Sequence, residues 1–127
     1  MTKLSIEVIP HPACAVIAVS GDLDKVSAPQ LEKVISEVLG AGHVHLIMDV
    51  STLGFCDSTG VWLLLSGLRR SFEAGGWLRL AGVRGFLQRL LELTRLSEAF
   101  PTDPTVAEAM RHVPARRSGQ ASPPAPA

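Results

Sequence analysis

The segment Asp57-Ser58-Thr59-Gly60 places a hydroxyl group between an apolar segment, residues 46–50, and an apolar stretch that begins at Val61. This arrangement predicts a strand, a short loop and then a helix, with Ser58 at the helix N-terminus. Unpaired backbone amides and the helix dipole favour an anion at that position. Two interpretations follow: Ser58 accepts a phosphate, or it is an N-cap serine that stabilises the helix by about 1 kcal/mol.

Ser58 lacks the sequence context of an enzymatic nucleophile. The Gly-x-Ser-x-Gly pattern is missing because position 56 is Cys, and none of the four histidines is close to Ser58 in the sequence. A hydroxyl without a base is a poor nucleophile, whereas a protein kinase brings its own base and metal to a substrate serine. We therefore predict that the protein is not an enzyme. A small hydrolase that uses Ser58 or Cys56 is the least favoured alternative.

The acidic residues of the N-terminal half are a weak indication of a metal site. Asp22, Asp24 and Asp57 offer too few oxygen ligands for a hard cation, and His43 and His45 alone are a weak metal pattern. A Walker-type phosphate loop is missing as well. We therefore expect no metal and no cofactor. Asp22 and Asp24 have the alternative interpretation of ordinary turn residues.

The net charge of the chain is zero, which argues against nucleic-acid binding because affinity for phosphates needs a basic surface. The charge is unevenly distributed: residues 1–60 carry three Lys and seven acidic residues, whereas residues 61–127 carry nine Arg and five acidic residues. A basic partner surface would match the acidic half, which contains Ser58. The alternative is an ordinary solvated mixture of charges.

Cys14 and Cys56 are the two cysteines of the chain, and both have apolar neighbours. They are predicted to be buried free thiols of a cytosolic protein rather than a disulfide. The N-terminal residues do not have the pattern of a leader peptide, and no apolar run is long enough to cross a bilayer. The expected location is therefore the cytoplasm, with no contact to a membrane.

Periodicity and turn residues divide the chain into strands and helices. Strands are predicted where apolar residues alternate or form short runs, at residues 4–9, 14–19, 44–50, 77–81 and 99–100. Helices are predicted where apolar residues recur at helical spacing, at residues 27–40, 58–74, 84–93 and 103–112. Ser27 and Gln30 have the spacing of a capping box at the first helix. The predicted core positions of the second helix are Val61, Leu64, Leu65, Leu68 and Phe72.

This order of elements predicts an α/β fold with a small mixed, mostly parallel β-sheet, an N-terminal hairpin at the sheet edge and about four packed helices. Residues 1–113 are predicted to form one domain. Residues 114–127 are rich in Pro, Ala and Arg without bulky apolar side chains, and are predicted to be a disordered tail.

Three segments carry a family resemblance: Gly21-Asp22-Leu23-Asp24, Leu46-Ile47-Met48-Asp49-Val50-Ser51 and Phe55-Cys56-Asp57-Ser58-Thr59-Gly60. At these intervals they resemble the STAS domain family, and more closely the bacterial anti-sigma factor antagonists. The resemblance covers residues 3–112, including the order of the elements. It implies a STAS-like fold and a protein that regulates transcription by exchanging partners.

The resemblance implies that the unphosphorylated chain binds an anti-sigma factor that is also a serine kinase, and thereby releases a sigma factor. Phosphorylation of Ser58 would end this binding, and a PP2C-type phosphatase would restore it. The residues expected at the partner surface flank Ser58 or lie at the same end of the sheet: Asp22, Asp24, Asp57, Thr59, Gly60 and Trp62. Many relatives have a small or aliphatic residue where this chain has Trp62, which either anchors the partner or belongs to the core.

The same fold has an alternative role. STAS domains resemble parts of sulfate transporters and of lipid-trafficking complexes, in which they act as docking modules without a phosphoserine cycle. The intact Asp-Ser-Thr-Gly sequence and the missing membrane segment favour the antagonist.

Overall fold

The computed structural model describes residues 3–114. The five strands in this range are β1 Ser5–Pro10, β2 Ala15–Leu23, β3 His45–Cys56, β4 Trp77–Ala81 and β5 Thr102–Asp103. They form one sheet in chain order, in which β1 pairs antiparallel with β2 and the neighbouring pairs from β2 to β5 are parallel. The helices of this range are α1 Ala28–Gly40, α2 Ser58–Glu73, α3 Gly85–Leu93 and α4 Val106–Met110.

The predicted fold class is confirmed, including the N-terminal hairpin at the edge of a mostly parallel sheet. The predicted tail at 114–127 lies outside the described residues, apart from Pro114. None of the helices in the described part of the chain is long and apolar enough to cross a membrane.

Strand β2 continues through the segment that the sequence predicts as a turn. Its pairing with β3 extends to Leu23↔Cys56, with register shifts between Ala18 and Ser20 and between Gly21 and Asp22. Gly21 makes the first part of this extension possible: its φ is +95°, and a Cβ at this position would overlap the carbonyl oxygen of Lys3. Asp22 therefore lies in a strand rather than in a turn.

Strand β3 is likewise longer than predicted, because the predicted loop after residue 50 is extended and paired with β2. The strand has 12 residues and ends at Cys56, two residues before α2. Residues 52–56 pair with β2 at an irregular register, and their side chains do not alternate between apolar and polar, which is the pattern from which strands were predicted. Asp57 alone therefore connects the sheet to α2, which leaves little freedom in the position of Ser58.

Helices α1, α2 and α3 cover one face of the sheet. Their buried residues pack with alternate residues of the strands in one cluster, which includes Ile17, Leu31, Met48, Leu64, Leu80 and Leu87. On the opposite face, Cys14, Val16, Ile47 and Ala81 pack with Ala109 of α4. Successive side chains along β2, β3 and β4 point to opposite faces of the sheet, so alternate residues of each strand belong to the two clusters.

The predicted core positions of α2 are buried or partly buried in the core, apart from Phe72. Phe72 is 76% exposed, whereas Ser71 is fully buried and donates a hydrogen bond from its hydroxyl to the carbonyl of Gly67 at 2.8 Å. Gly67 is also buried, and a Cβ there would lie 3.2 Å from Leu78. Small residues therefore mark the closest contact of α2 with the sheet, and a pattern based on large apolar side chains misses them.

The C-terminal elements begin later than predicted. The last strand is Thr102–Asp103 rather than residues 99–100, and Phe100 is a core residue instead. The last helix begins after its N-cap Thr105, whose hydroxyl accepts a hydrogen bond from the Glu108 amide at 3.1 Å, and not at Asp103. Asp103 pairs with Ala81 of β4 and is therefore part of the sheet, so the helix begins only after Thr105.

Candidate functional site

The N-terminus of α2 is capped by Asp57 and not by Ser58. The backbone of Asp57 is extended, with φ −101° and ψ −175°, and its Oδ1 accepts a hydrogen bond from the Gly60 amide at 3.0 Å. The interpretation of Ser58 as an N-cap serine is therefore wrong. Aspartate is as good an N-cap as serine, and its negative charge also suits the positive end of the helix dipole.

The side chain of Ser58 is available to another molecule. Ser58 is the first residue of α2 and is exposed, as is Thr59. Its hydroxyl makes no hydrogen bond with any residue in the range 3–114. Because Asp57 has taken over the capping, the hydroxyl of Ser58 has no structural function in this part of the chain.

Gly60 allows the first turn of α2 to contact the ends of two strands. It is buried, and a Cβ would lie 2.8 Å from the sulfur of Cys56, 2.8 Å from the Cγ of Leu23 and 2.9 Å from the Leu23 carbonyl. These distances are shorter than side chains normally allow. Gly60 was predicted at the partner surface, but its burial indicates a packing role.

The loop between β2 and α1 is organised by Asp24. Its Oδ1 accepts hydrogen bonds from the amides of Val26 at 3.0 Å and Ser27 at 2.9 Å. The bond from the Ser27 amide is the main reason why the pKa of Asp24 lies below its ordinary value. Asp24 is therefore a turn residue as well as an acidic residue next to the site.

The predicted capping box of Ser27 and Gln30 does not form. The Ser27 hydroxyl instead accepts a hydrogen bond from the Asp24 amide at 3.0 Å and donates one to the Asp22 carbonyl at 2.8 Å. The side-chain amide of Gln30 donates to the Leu4 carbonyl at 3.1 Å. Both side chains therefore bond to other segments instead of to the first turn of α1. Ser27 connects the Asp24 loop to the end of β2.

The structure brings the predicted acidic residues to one end of the sheet. Asp57 Oδ2 accepts a hydrogen bond from the Lys25 amide at 3.3 Å, so the loop that contains Asp24 contacts the start of α2. Asp22 and Asp24 line a neighbouring open cleft of about 710 Å³, together with Lys3 and Val26. This is the carboxyl end of the parallel strands, where α/β proteins generally bind their ligands.

Aromatic side chains complete the surface around Ser58. Trp62 is 58% exposed, which answers the question that the sequence left open: it is not a core residue. Phe55 and Phe86 stack with ring centroids 5.5 Å apart and are both exposed. Sequence analysis missed this pair, because nothing in the sequence indicates that the start of α3 meets the end of β3.

The chemistry of the site does not favour catalysis by Cys56. Its side chain is buried, and burial together with the charge of Asp57 raises its pKa to about 12. A thiol with this pKa is protonated at neutral pH and is not a nucleophile. Within residues 3–114, no group of three or more His, Cys, Asp or Glu side chains is arranged to hold a metal ion.

A second polar cluster lies on the α4 face of the sheet and was missed by the sequence analysis. Arg79 Nε donates to Asp103 Oδ2 at 2.7 Å, and His112 Nε2 lies 3.3 Å from Asp103 Oδ1. The Asp103 side chain is only 7% exposed. Since burial of a carboxylate is costly unless it is paired with a cation, Arg79 compensates for the burial of Asp103 in β5.

Comparison with known proteins confirms the resemblance seen in the sequence. A family model described as the STAS domain matches residues 5–109. The anti-sigma-B factor antagonist of Staphylococcus epidermidis is 28% identical over 96 residues, which are 76% of this chain and 89% of that protein.

Solved structures agree with this result. An anti-sigma factor antagonist from Mycobacterium paratuberculosis superposes with a TM-score of 0.78 at 30% identity, over 87% of this chain and 94% of that chain. SpoIIAA from Bacillus, solved in its phosphorylated form, has the same fold, with a TM-score of 0.67 at 20% identity over 84% of this chain and 98% of that chain.

Proposed function

This chain belongs to the STAS domain family, and we propose that it acts as an anti-sigma factor antagonist that is switched off by phosphorylation of Ser58. The unphosphorylated form binds an anti-sigma factor with serine kinase activity and releases a sigma factor in the cytoplasm. A PP2C-type phosphatase restores the unphosphorylated form. The chain itself is not an enzyme in this proposal.

One observation carries the proposal: Ser58 has an exposed hydroxyl without a hydrogen-bond partner in the described structure, on a helix that Asp57 already caps. A kinase needs an accessible hydroxyl and supplies the base and metal itself. The proposed partner contacts flank Ser58 in the sequence or lie at the same end of the sheet: Asp22, Asp24, Asp57, Thr59 and Trp62.

Phosphorylation changes the binding surface mainly by its charge. It adds about −1.5 to −2 charges next to Asp57. In the free protein this charge is solvated and lies at the positive end of the α2 dipole. In a complex it would be desolvated and close to Asp57 and Asp24. A change from mostly bound to mostly free needs roughly 3–5 kcal/mol, which one buried and opposed phosphate is able to supply.

The proposal is tested by a pull-down from native lysate with three baits: wild type, Ser58→Ala and Ser58→Glu. We expect the first two to retrieve an anti-sigma factor with a kinase domain and Ser58→Glu to retrieve at least about tenfold less of it, because one added charge reproduces part of the phosphate effect. Mass spectrometry of the wild-type bait should find phosphate on Ser58. Ser97→Ala is the matched control, because it removes an exposed hydroxyl between α3 and β5, outside the proposed partner contacts, and should bind like wild type.

Two outcomes would contradict the proposal. Equal retrieval of the anti-sigma factor by all three baits would exclude a switch at Ser58. Retrieval of transport or membrane proteins by all three, without phosphate on Ser58, would instead support the docking-module role.

A further inference from the structure

Two aromatic side chains from distant parts of the sequence form an exposed surface near Ser58. The rings of Phe55, at the end of β3, and Phe86, in the first turn of α3, have centroids 5.5 Å apart and an interplanar angle of 23°. Phe55 is 42% exposed and Phe86 is 53% exposed. A contiguous exposed aromatic pair on a small domain indicates an interaction site more than a single exposed ring does.

The two rings are held in place by the residues that follow them. Cys56 is 1% exposed and Leu87 is 5% exposed, so the backbone on both sides of the stack is anchored in the core. A ring pair that is already ordered in the free protein loses little conformational freedom when a partner covers it. The surface is therefore preorganised.

The sheet order determines what lies on each side of Ser58. The carboxyl ends of β2, β3 and β4 are neighbours, and they lead into the Asp24 loop, α2 and α3 respectively. The start of α2 thus has acidic side chains on its α1 side and the Phe55–Phe86 stack on its α3 side. A partner that covers Ser58 meets carboxylates on one side and aromatic rings on the other.

From this arrangement we propose that the Phe55–Phe86 stack is an apolar anchor for the anti-sigma factor, and that it receives an aliphatic side chain flanked on the partner by Lys or Arg residues that face Asp22 and Asp24. The inference rests on the proposed function and adds the chemistry of the contact. The stack contributes affinity that is independent of charge, while the acidic side and Ser58 contribute the part that phosphorylation changes.

Charge complementarity favours this occupant over a second copy of the chain. A second copy would bring the same acidic residues, Asp24 and Asp57, into the interface, and like charges in an interface are unfavourable. A partner with Lys or Arg residues beside an aliphatic side chain complements both the carboxylates and the rings.

The test uses the anti-sigma factor identified in the pull-down, purified as a recombinant protein, and measures Kd by calorimetry. We expect Phe86→Ala to weaken binding about tenfold or more, and Phe86→Leu, which keeps an apolar side chain, to retain most of the affinity. Leu93→Ala is the matched control: Leu93 is 75% exposed at the opposite end of the same helix, and its replacement should not affect Kd. Thermal unfolding of each variant checks that it is folded.

A salt series separates the two sides of the surface. The weakening caused by Asp22→Asn should shrink as ionic strength rises, whereas the weakening caused by Phe86→Ala should persist.

If Phe86→Ala binds like wild type while Ser58→Glu remains weak, the anchor is excluded and the proposed function stands. If the pull-down retrieves no anti-sigma factor, both proposals fail. If Ser58→Glu binds like wild type while Phe86→Ala is weak, the phosphorylation switch is excluded and the anchor stands. A wild-type dimer that Phe86→Ala converts to monomers would show that the stack binds a second copy instead.

Discussion

The carboxylate of Asp57 accepts hydrogen bonds from two different segments, and its bond from the Lys25 amide at 3.3 Å connects the loop before α1 to the start of α2. The same carboxylate caps α2 through Gly60. One side chain thus positions both the hydroxyl of Ser58 and the loop that contains Asp24. The same carboxylate therefore holds both the proposed phosphorylation site and the proposed acidic contact surface in position.

Replacement of Asp57 should test this link. We expect Asp57→Ala to lower the free energy of unfolding by about 1–2 kcal/mol, because the N-cap is lost. Asp57→Asn is the matched control and should be nearly neutral, since asparagine also caps helices well. Urea denaturation followed by circular dichroism measures both variants. An equal loss in Asp57→Asn would show that charge, rather than capping, is the main contribution.

Gly60 should not tolerate a larger residue. The Cβ of Gly60→Ala would collide with Leu23 and Cys56, and we expect a loss of about 1–3 kcal/mol in the free energy of unfolding. Gly40→Ala serves as control, because no heavy atom lies within 4 Å of the added Cβ. That variant should be as stable as wild type or gain up to about 1 kcal/mol from helix propensity. Chemical denaturation of the two variants decides the point, and equal stabilities would refute the close contact.

The ion pair of Arg79 and Asp103 should matter more than an exposed pair. The side chains are 18% and 7% exposed, so Asp103→Ala leaves a largely buried cation without its partner. We expect a loss of about 3 kcal/mol in the free energy of unfolding. Glu108→Ala, which removes the exposed contact with Arg111, should cost less than about 0.5 kcal/mol. Thermal unfolding compares the two, and similar effects would contradict the assigned burial.

The buried thiol of Cys56 should make stability depend on alkaline pH. The pKa of Cys56 is raised from 9.0 to about 12 by burial, so between these values the unfolded chain releases a proton that the folded chain retains. This contribution to stability is fully present below pH 9 and is lost as pH rises towards 12. We expect the stability difference between wild type and Cys56→Ala to change in this direction from pH 8 to pH 10 in urea denaturation. A constant difference would exclude the raised pKa.

The features that the sequence predicted correctly are local ones. Alternation in the first strands, helical spacing in α1 and α3, and the segment from Asp57 to Gly60 were sufficient to predict the fold class and the position of Ser58. These features depend on side-chain periodicity and on short-range hydrogen bonding, which neighbouring residues determine. The family resemblance depends on the same local segments.

Competition between local and tertiary partners could not be predicted. Ser27 bonds to the Asp24 loop instead of forming a capping box with Gln30, and Asp103 enters the sheet instead of starting a helix. In each case a partner from another segment replaced the local one. The exposure of Phe72 in α2 has a similar cause, because Gly67 and Ser71 permit close packing that hydrophobicity does not reveal.

The sequence by itself therefore determined the fold class, the family and the placement of Ser58 at the start of α2. Only the tertiary structure decided that Asp57 is the cap, that Trp62 is exposed, and that Phe55 meets Phe86 beside the proposed partner surface. The physical reason is that strand order and helix packing bring together residues whose contacts have no local signature, and these contacts decide which side chains remain free for a partner.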